Sequence, residues 1–537
     1  MDPLAPAAMT APAQLALLEY RAYPEGPTPW FSHLLICSTA PLEAERPYRG
    51  DLRAEDFAQS AERLEALRRH LNGFLQDPQA GVGQHRLRLV VRIHGYNVPL
   101  KSVRREYAEA ERKFIGDAKR MAATPPDDYV LFVHYAWPSE RIGAGGPLRW
   151  LRAMPVGLLL MLLLGGALGF ATSGLAAVVG HVLLGIGLTL VLLRMVTYFR
   201  DRDRAGSFGV FDAAEMVRAL HHLVQEIGAD TRYLTRLRQG QARRISLSFL
   251  GHSMGTFVTT SLVRVLSNVF DAAAERHLWE NNPQGPFGEP NCPAPESPES
   301  RDLLRRARAG IGDLFILDRL ILVAADIPVW SITTGRSNYL ASCLRRFRDT
   351  FLFVNDADMV LRLASTLANY FVFPSGTRLG GYRLGNLSIN WRTKPNGYSW
   401  RRSTLKDLVL SGGLGSRSLC DDPPFLCPAN IGYPLNVIDC TDYRDQVRYL
   451  SAFTARHALL RPLNYVATLV LMLLAPLGLS KIDSHGGYFR GYCLDLLYAL
   501  ALRGLPDSKE PAPDTKTALA EHQISWVHIP VDAAAAP

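Results

Sequence analysis

The pentapeptide Gly251-His252-Ser253-Met254-Gly255 sets a serine hydroxyl between two glycines, after a strand-like run, Arg244–Leu250, and before a helical pattern, Thr256–Val269. A Gly-x-Ser-x-Gly match is common by chance, but one flanked by strand and helix is the context of a nucleophile elbow. There the serine occupies a strained turn, the glycines admit close neighbours, and the helix start aims free N–H groups at any oxyanion that forms. The competing use of the same residues is a glycine-rich turn with a capping serine.

An elbow serine needs a second N–H donor from the loop after an earlier strand. Leu89–Ile93 reads as a buried strand and ends in His94-Gly95-Tyr96-Asn97. Gly95 lets the backbone turn so that the Tyr96 N–H faces the serine, with the Met254 N–H as the other donor. His94 is then structural, because in this architecture the base follows the serine in chain order. Downstream, His485 in Ser484-His485-Gly486-Gly487-Tyr488-Phe489 lies between a strand-like Leu435–Asp439 and a helical Gly491–Leu502. It is the candidate general base. His457 sits in a helical, arginine-bearing stretch, and His522 and His528 fall near the C-terminus without comparable context. Three aspartates end strand patterns: Asp326 in LVAADIP, and Asp356 and Asp358 in FLFVNDADMVL. The acid is expected after the second strand beyond the elbow, which favours the latter pair. Asp358 is placed to orient an imidazole and Asp356 to cap the helix starting near Ala357, with Asp356 and Asp326 as alternative acids. Two carboxylates so close together at a loop start do not suit a glycosidase dyad.

The elements around these residues alternate as in a mostly parallel sheet covered on both faces. Strands are expected at Trp30–Cys37, Leu87–Ile93, Tyr129–Tyr135, Arg244–Leu250, Leu317–Ala324, Thr350–Val354 and Leu435–Asp439, and helices at Ala54–Leu75, Lys101–Met121 and Phe211–Ile227. The fold class is α/β. Asn281–Ser300, rich in Pro, Gly, Asn and Glu, has no apolar face to bury and reads as a flexible insertion. Residues 503–537 form a tail in which Ile524–Ile529 has the pattern of an edge strand, with no firm assignment.

Ala153–Leu193 holds about forty residues without Asp, Glu, Lys or Arg, where one membrane crossing takes about 20 apolar residues. Two spans, Pro155–Phe170 and Leu175–Leu193, fit around a turn at Thr172-Ser173-Gly174. Arg149, Arg152, Arg194, Arg200, Arg202 and Arg204 bracket the block, which by the positive-inside rule puts both ends in the cytoplasm. The organisation expected is therefore residues 1–140 and 206–502 as two parts of one α/β domain, with residues 141–205 as a membrane hairpin inserted between them. A third apolar stretch, Leu463–Leu479, is at the short limit for a span and reads as an interfacial or lid helix, with Leu469, Leu473 and Leu474 toward an acyl pocket, a buried core helix and a third crossing being the alternatives. The 537 residues carry 59 Lys plus Arg against 50 Asp plus Glu, a net +9, without the aromatic-and-basic pattern of a nucleic-acid binder. The seven cysteines, an odd number, are expected to be reduced thiols. Met1 to Leu18 lacks the features of a cleaved signal, and no metal or organic cofactor is implied.

The motifs IHGYN, YAWPS, LGHSMGT, AADIP, VNDADMVL and SHGGYF together resemble a bacterial α/β-hydrolase family of esterase- or lipase-like proteins whose function is unknown. The likeness covers most of Leu87–Leu502 outside the insertions. It implies a serine hydrolase with Ser253 as nucleophile, Asp358 as acid in D-x-x-L and His485 as base in SH-x-x-[YF]. The apolar hairpin departs from typical members, and the family supplies no substrate. The function expected is cleavage of lipid-derived carboxylic esters by a membrane-anchored hydrolase. A soluble thioester or peptide as substrate, and a non-catalytic membrane scaffold, are the other readings.

Overall fold

The computed structural model describes residues 13–22, 31–42, 48–83, 85–116, 128–139, 198–267, 310–312, 314–328, 340–344, 346–365, 383–386, 435–453, 461–475, 478–503 and 511–529, with isolated positions at 174, 178, 181, 182, 185 and 331. Both expected membrane spans, but for those isolated positions, and the insertion Asn281–Ser300 lie outside the described residues, as does His457. Among the described residues no helix is long and apolar enough to cross a membrane.

Among the described residues one sheet has ten strands, nine of them in a row: β1 (Leu15–Ala22), β2 (Phe31–Ser38), β3 (Leu87–Ile93), β4 (Tyr129–Ala136), β5 (Ile245–His252), β6 (Phe315–Val323), β7 (Asp349–Val354), β8 (Leu435–Asp439) and β9 (Ser525–Ile529). Their spatial order is β1-β2-β4-β3-β5-β6-β7-β8-β9. A two-residue strand, Gly310–Ile311, pairs antiparallel beside β6. The strands from β2 to β8 are parallel, and β1 and β9 close the edges antiparallel. Every residue of β2, β3 and β4 is buried. That is why these strands read as nearly continuous apolar runs, since a parallel sheet is covered on both faces.

On one face pack α1 (Ala54–Gln76), α3 (Val210–Asp230) and α5 (Met254–Leu266), through Leu71, Met216 and Val258 among others. On the other lie α2 (Leu100–Gly116), α7 (Gly491–Leu502) and α8 (Pro513–Glu521). The short α4 (Tyr233–Arg238) follows α3, and α6 (Arg461–Leu474) precedes the expected base. Residues 503–537, unassigned from sequence, thus contribute α8 and the edge strand β9.

Alternate positions of β3 carry Arg88 and Arg92 to the α7 face, where a charge must find partners. Arg88 Nε bonds Asp128 at 2.5 Å and Nη1 donates to the Leu502 carbonyl at 3.3 Å. Arg319 in β6 donates to the Ala501 and Arg503 carbonyls at 3.1 and 2.8 Å. Two guanidinium groups therefore satisfy the orphan carbonyls at the C-terminus of α7 and complement its dipole. Arg92 bonds Tyr498 Oη at 3.2 Å and Glu106 at 2.8 Å, and its guanidinium lies 4.3 Å from the centre of the Phe489 ring. Because α7 begins six residues after His485, this clamp also fixes the loop that holds the imidazole.

Candidate active site

The carboxyl ends of β3, β5, β6 and β7 deliver His94–Asn97, Ser253, Ala324–Asp326 and Asn355–Asp358 to one edge of the sheet, where ligands of open parallel sheets bind. Ser253 has φ 52° and ψ −124°, a conformation that costs a non-glycine residue strain. Its hydroxyl makes no capping bond to α5. The turn survives because its neighbours have no side chain to clash: a Cβ on Gly255 would lie 2.5 Å from the Ile93 and His94 carbonyl oxygens, and one on Gly95 would lie 2.9 Å from Ser253 Cβ. The loop after β3 and the serine are thus pressed together, with Tyr96 in that loop and Met254 the first residue of α5.

His94 holds the loop's shape. Its Nδ1 bonds the Gly95 carbonyl at 2.7 Å, its ring stacks 5.2 Å from that of Trp137, and Trp137 Nε1 donates to the His94 carbonyl at 2.8 Å. Burial pushes the His94 pKa down to about 3, so the ring is neutral. This is the structural role expected of it.

His485 Nδ1 bonds Asp358 Oδ2 at 2.7 Å. That bond places the proton on Nδ1 and leaves Nε2 as the basic nitrogen. The other oxygen of Asp358 accepts N–H bonds from Val360 and Leu361 at 3.0 and 3.1 Å. Here the sequence expectation is corrected: Asp358, not Asp356, caps the helical turn, which spans Val360–Ser365 and begins after Ala357. One carboxylate orients the imidazole and caps the turn because the tight Asn355–Asp358 loop leaves it at the first free N–H groups. Burial works to lower the His485 pKa, but the charge and hydrogen bond of Asp358 outweigh it, with Asp483 and Asp326 adding to the rise.

Asp356 turns away. It bonds Arg362 at 2.5 Å and accepts from Tyr465 Oη of α6 at 2.8 Å. Asp326 sits behind the elbow, its N–H 3.4 Å from the Ser253 carbonyl and its carboxylate 3.2 Å from the fully buried Arg383. Among the described residues Asp358 alone of the three hydrogen-bonds His485. Ser253 Oγ and His485 Nε2 are buried and make no hydrogen bond in this structure. His522 instead stacks 4.4 Å from Tyr492, and His528 bonds Asn436 across the β8–β9 edge at 2.9 Å.

Four supporting residues escaped the sequence reading. His252, inside the pentapeptide, bonds the His485 carbonyl through Nε2 at 3.0 Å and is kept neutral by burial and by its neighbour His485. Asn355 Nδ2 donates to the Leu450 and Ser484 carbonyls at 3.1 and 2.8 Å, joining the Asn355–Asp358 loop to the loop that carries His485. Arg383 bonds Tyr198 Oη at 3.3 Å and the Ser365 carbonyl at 2.9 Å. Asp201 accepts from Asn97 N–H at 3.1 Å and from Ser139 Oγ at 2.9 Å. Ser139 and Asp201, which flank residues 140–197 in the sequence, therefore meet beside the loop after β3. Tyr198, Asp201 and Ala205 are buried, so the α/β core resumes before position 206.

One edge of the α/β sheet thus holds a strained serine at a strand-to-helix turn and an aspartate-bound histidine on a neighbouring loop. The chain matches no protein-family model, no curated protein and no solved structure.

Proposed function

We propose that the protein is a membrane-anchored serine hydrolase of the α/β-hydrolase type that cleaves carboxylic esters, with lipid-derived esters as substrates. The observation that carries this reading is the 2.7 Å Asp358–His485 bond on the same sheet edge as the strained Ser253. Ser253 Oγ attacks the ester carbonyl while His485 Nε2 takes its proton. The oxyanion is held by the N–H groups of Tyr96 and Met254. His485 then protonates the departing alkoxide, and water, deprotonated by the same nitrogen, releases the acyl group. Asp358 holds the imidazole in the right tautomer and stabilises its charged form. The resemblance to the esterase-like family favours the same three residues.

The membrane part of the reading rests on the charge-free Ala153–Leu193 and on the clasp that seats both ends of that insertion beside the site. The hairpin crosses the inner membrane and the catalytic domain lies in the cytoplasm. Labelling with a fluorophosphonate, with Ser253→Ala as the blank, tests the hydrolase. Modification at Ser253 is the expected result, and an unlabelled, folded wild-type chain would rule the chemistry out. Turnover of lipid ester, thioester and peptide panels in detergent then fixes the substrate class.

A further inference from the structure

Helix α6 has its amphipathic faces reversed. Asn464 and Thr468, one turn apart, are fully buried: Asn464 Oδ1 accepts from Phe453 N–H at 2.8 Å and Thr468 Oγ1 from Ala452 N–H at 2.9 Å. The opposite stripe, Leu463, Val466 and Val470, follows the i, i+3, i+7 spacing of one helical face and is 60%, 62% and 49% exposed. Leu363, Phe453 and Leu479 are exposed as well. A helix bathed in water is stable with its polar face outward, so this one is built to meet something apolar.

We propose that this outward face of α6 docks onto the surface of a lipid bilayer, seating the active-site edge against the acyl region. The inference rests on the membrane-anchor reading and adds a second, peripheral contact to it. Three observations select lipid as the occupant. First, the stripe lies on the edge of the sheet from which the charge-free segment departs: Tyr465 of α6 bonds Asp356, Arg362 and Leu363 follow in the next turn, and Arg383 joins Ser365 of that turn to Tyr198 at the end of the insertion. Second, about forty uncharged residues are tethered at that edge by Ser139 and Asp201, which holds any bilayer they enter close to α6. Third, the stripe is aliphatic, without the Tyr, Trp or Arg anchors that mark the centre of a protein–protein contact. A helix of 14 residues whose outward face is apolar suits the interface plane and is too short to cross.

The docking has a route to the chemistry. The Arg362 guanidinium lies 4.1 Å from the centre of the Tyr465 ring, and both groups hold Asp356, two residues from Asp358. Contact with the bilayer therefore bears on the helix that braces the acid loop.

The full chain, reconstituted into phosphatidylcholine–phosphatidylglycerol vesicles, carries a nitroxide at Leu463→Cys, Val466→Cys or Val470→Cys, with the exposed Leu64→Cys of α1 as reference and the labelled parent subtracted. Collision rates with oxygen, which concentrates in lipid, and with a water-soluble nickel chelate are compared. The three α6 positions are expected to favour oxygen several-fold more than position 64 does. Ratios equal to that of position 64 overturn the proposal while leaving the hairpin anchor standing, and a protein that stays in the supernatant overturns both. Low rates with both reagents mean that protein, another copy or another segment, covers the stripe, and this too overturns it. Fluorophosphonate labelling of the same samples reports separately on the hydrolase.

Discussion

At the scale of single residues, the three aspartates make opposed predictions. Asp358→Asn leaves His485 in the wrong tautomer and should cut kcat by about 10⁴-fold. Asp356→Asn keeps that bond and disturbs only the Arg362 and Tyr465 brace, so its loss should be far smaller. Steady-state hydrolysis of a short soluble ester decides between them, and the reverse ranking would move the acid to Asp356. Ser253→Ala or His485→Ala alone should be nearly as damaging as both together. The pH profile follows from the raised His485 pKa. A general base must be unprotonated, and a raised pKa keeps it protonated to higher pH, so the acid limb of kcat/KM should fall above the usual histidine value of about 6.5. Any residual activity of Asp358→Asn should show that limb shifted to lower pH. The strand-to-helix turn at Ser253 and the pairing of His485 with the favoured aspartate were legible because the pattern of types and flanking elements carries them. The capping role of Asp358 was not, since the direction of a second carboxylate oxygen depends on where the turn begins.

Among the elements, seven strands were legible to within about two residues because burial on both faces writes itself as an apolar run. Leu15–Ala22 went unread: it pairs antiparallel at the edge, and its apolar run stops at Leu18, where burial gives way to intermediate and exposed positions. The facing of α6 was also hidden. Its sequence is apolar nearly all round, and two polar residues, Asn464 and Thr468, decide which side meets the protein. Of the trio expected to line a pocket, Leu469 and Leu474 are half-buried and the Leu473 side chain lies outside the described residues, while Leu463, Val466 and Val470 are the face turned outward. For α7 the test is stability. Arg88→Leu leaves Asp128 buried without its ion-pair partner and frees the Leu502 carbonyl, and should cost about 3–5 kcal/mol in chemical denaturation.

For the whole molecule, the clasp predicts that the insertion is removable. Deleting Ala153–Leu193 and joining the ends through a short polar linker should release the protein from membranes, as read by fractionation, and keep hydrolysis of a small soluble ester, because Ser139 and Asp201 already meet. Loss of both would show that the segment belongs to the core. The clasp has one more consequence. The Asp201 carboxylate that gathers the two ends of the insertion also receives the Asn97 N–H, one residue from Tyr96. Under the proposed function, a mechanical load on the insertion, such as bilayer thinning or lateral tension, would reach the loop after β3 through Asp201, Ser139 and Tyr198, which would make the stiffness of the surrounding membrane a variable in the rate.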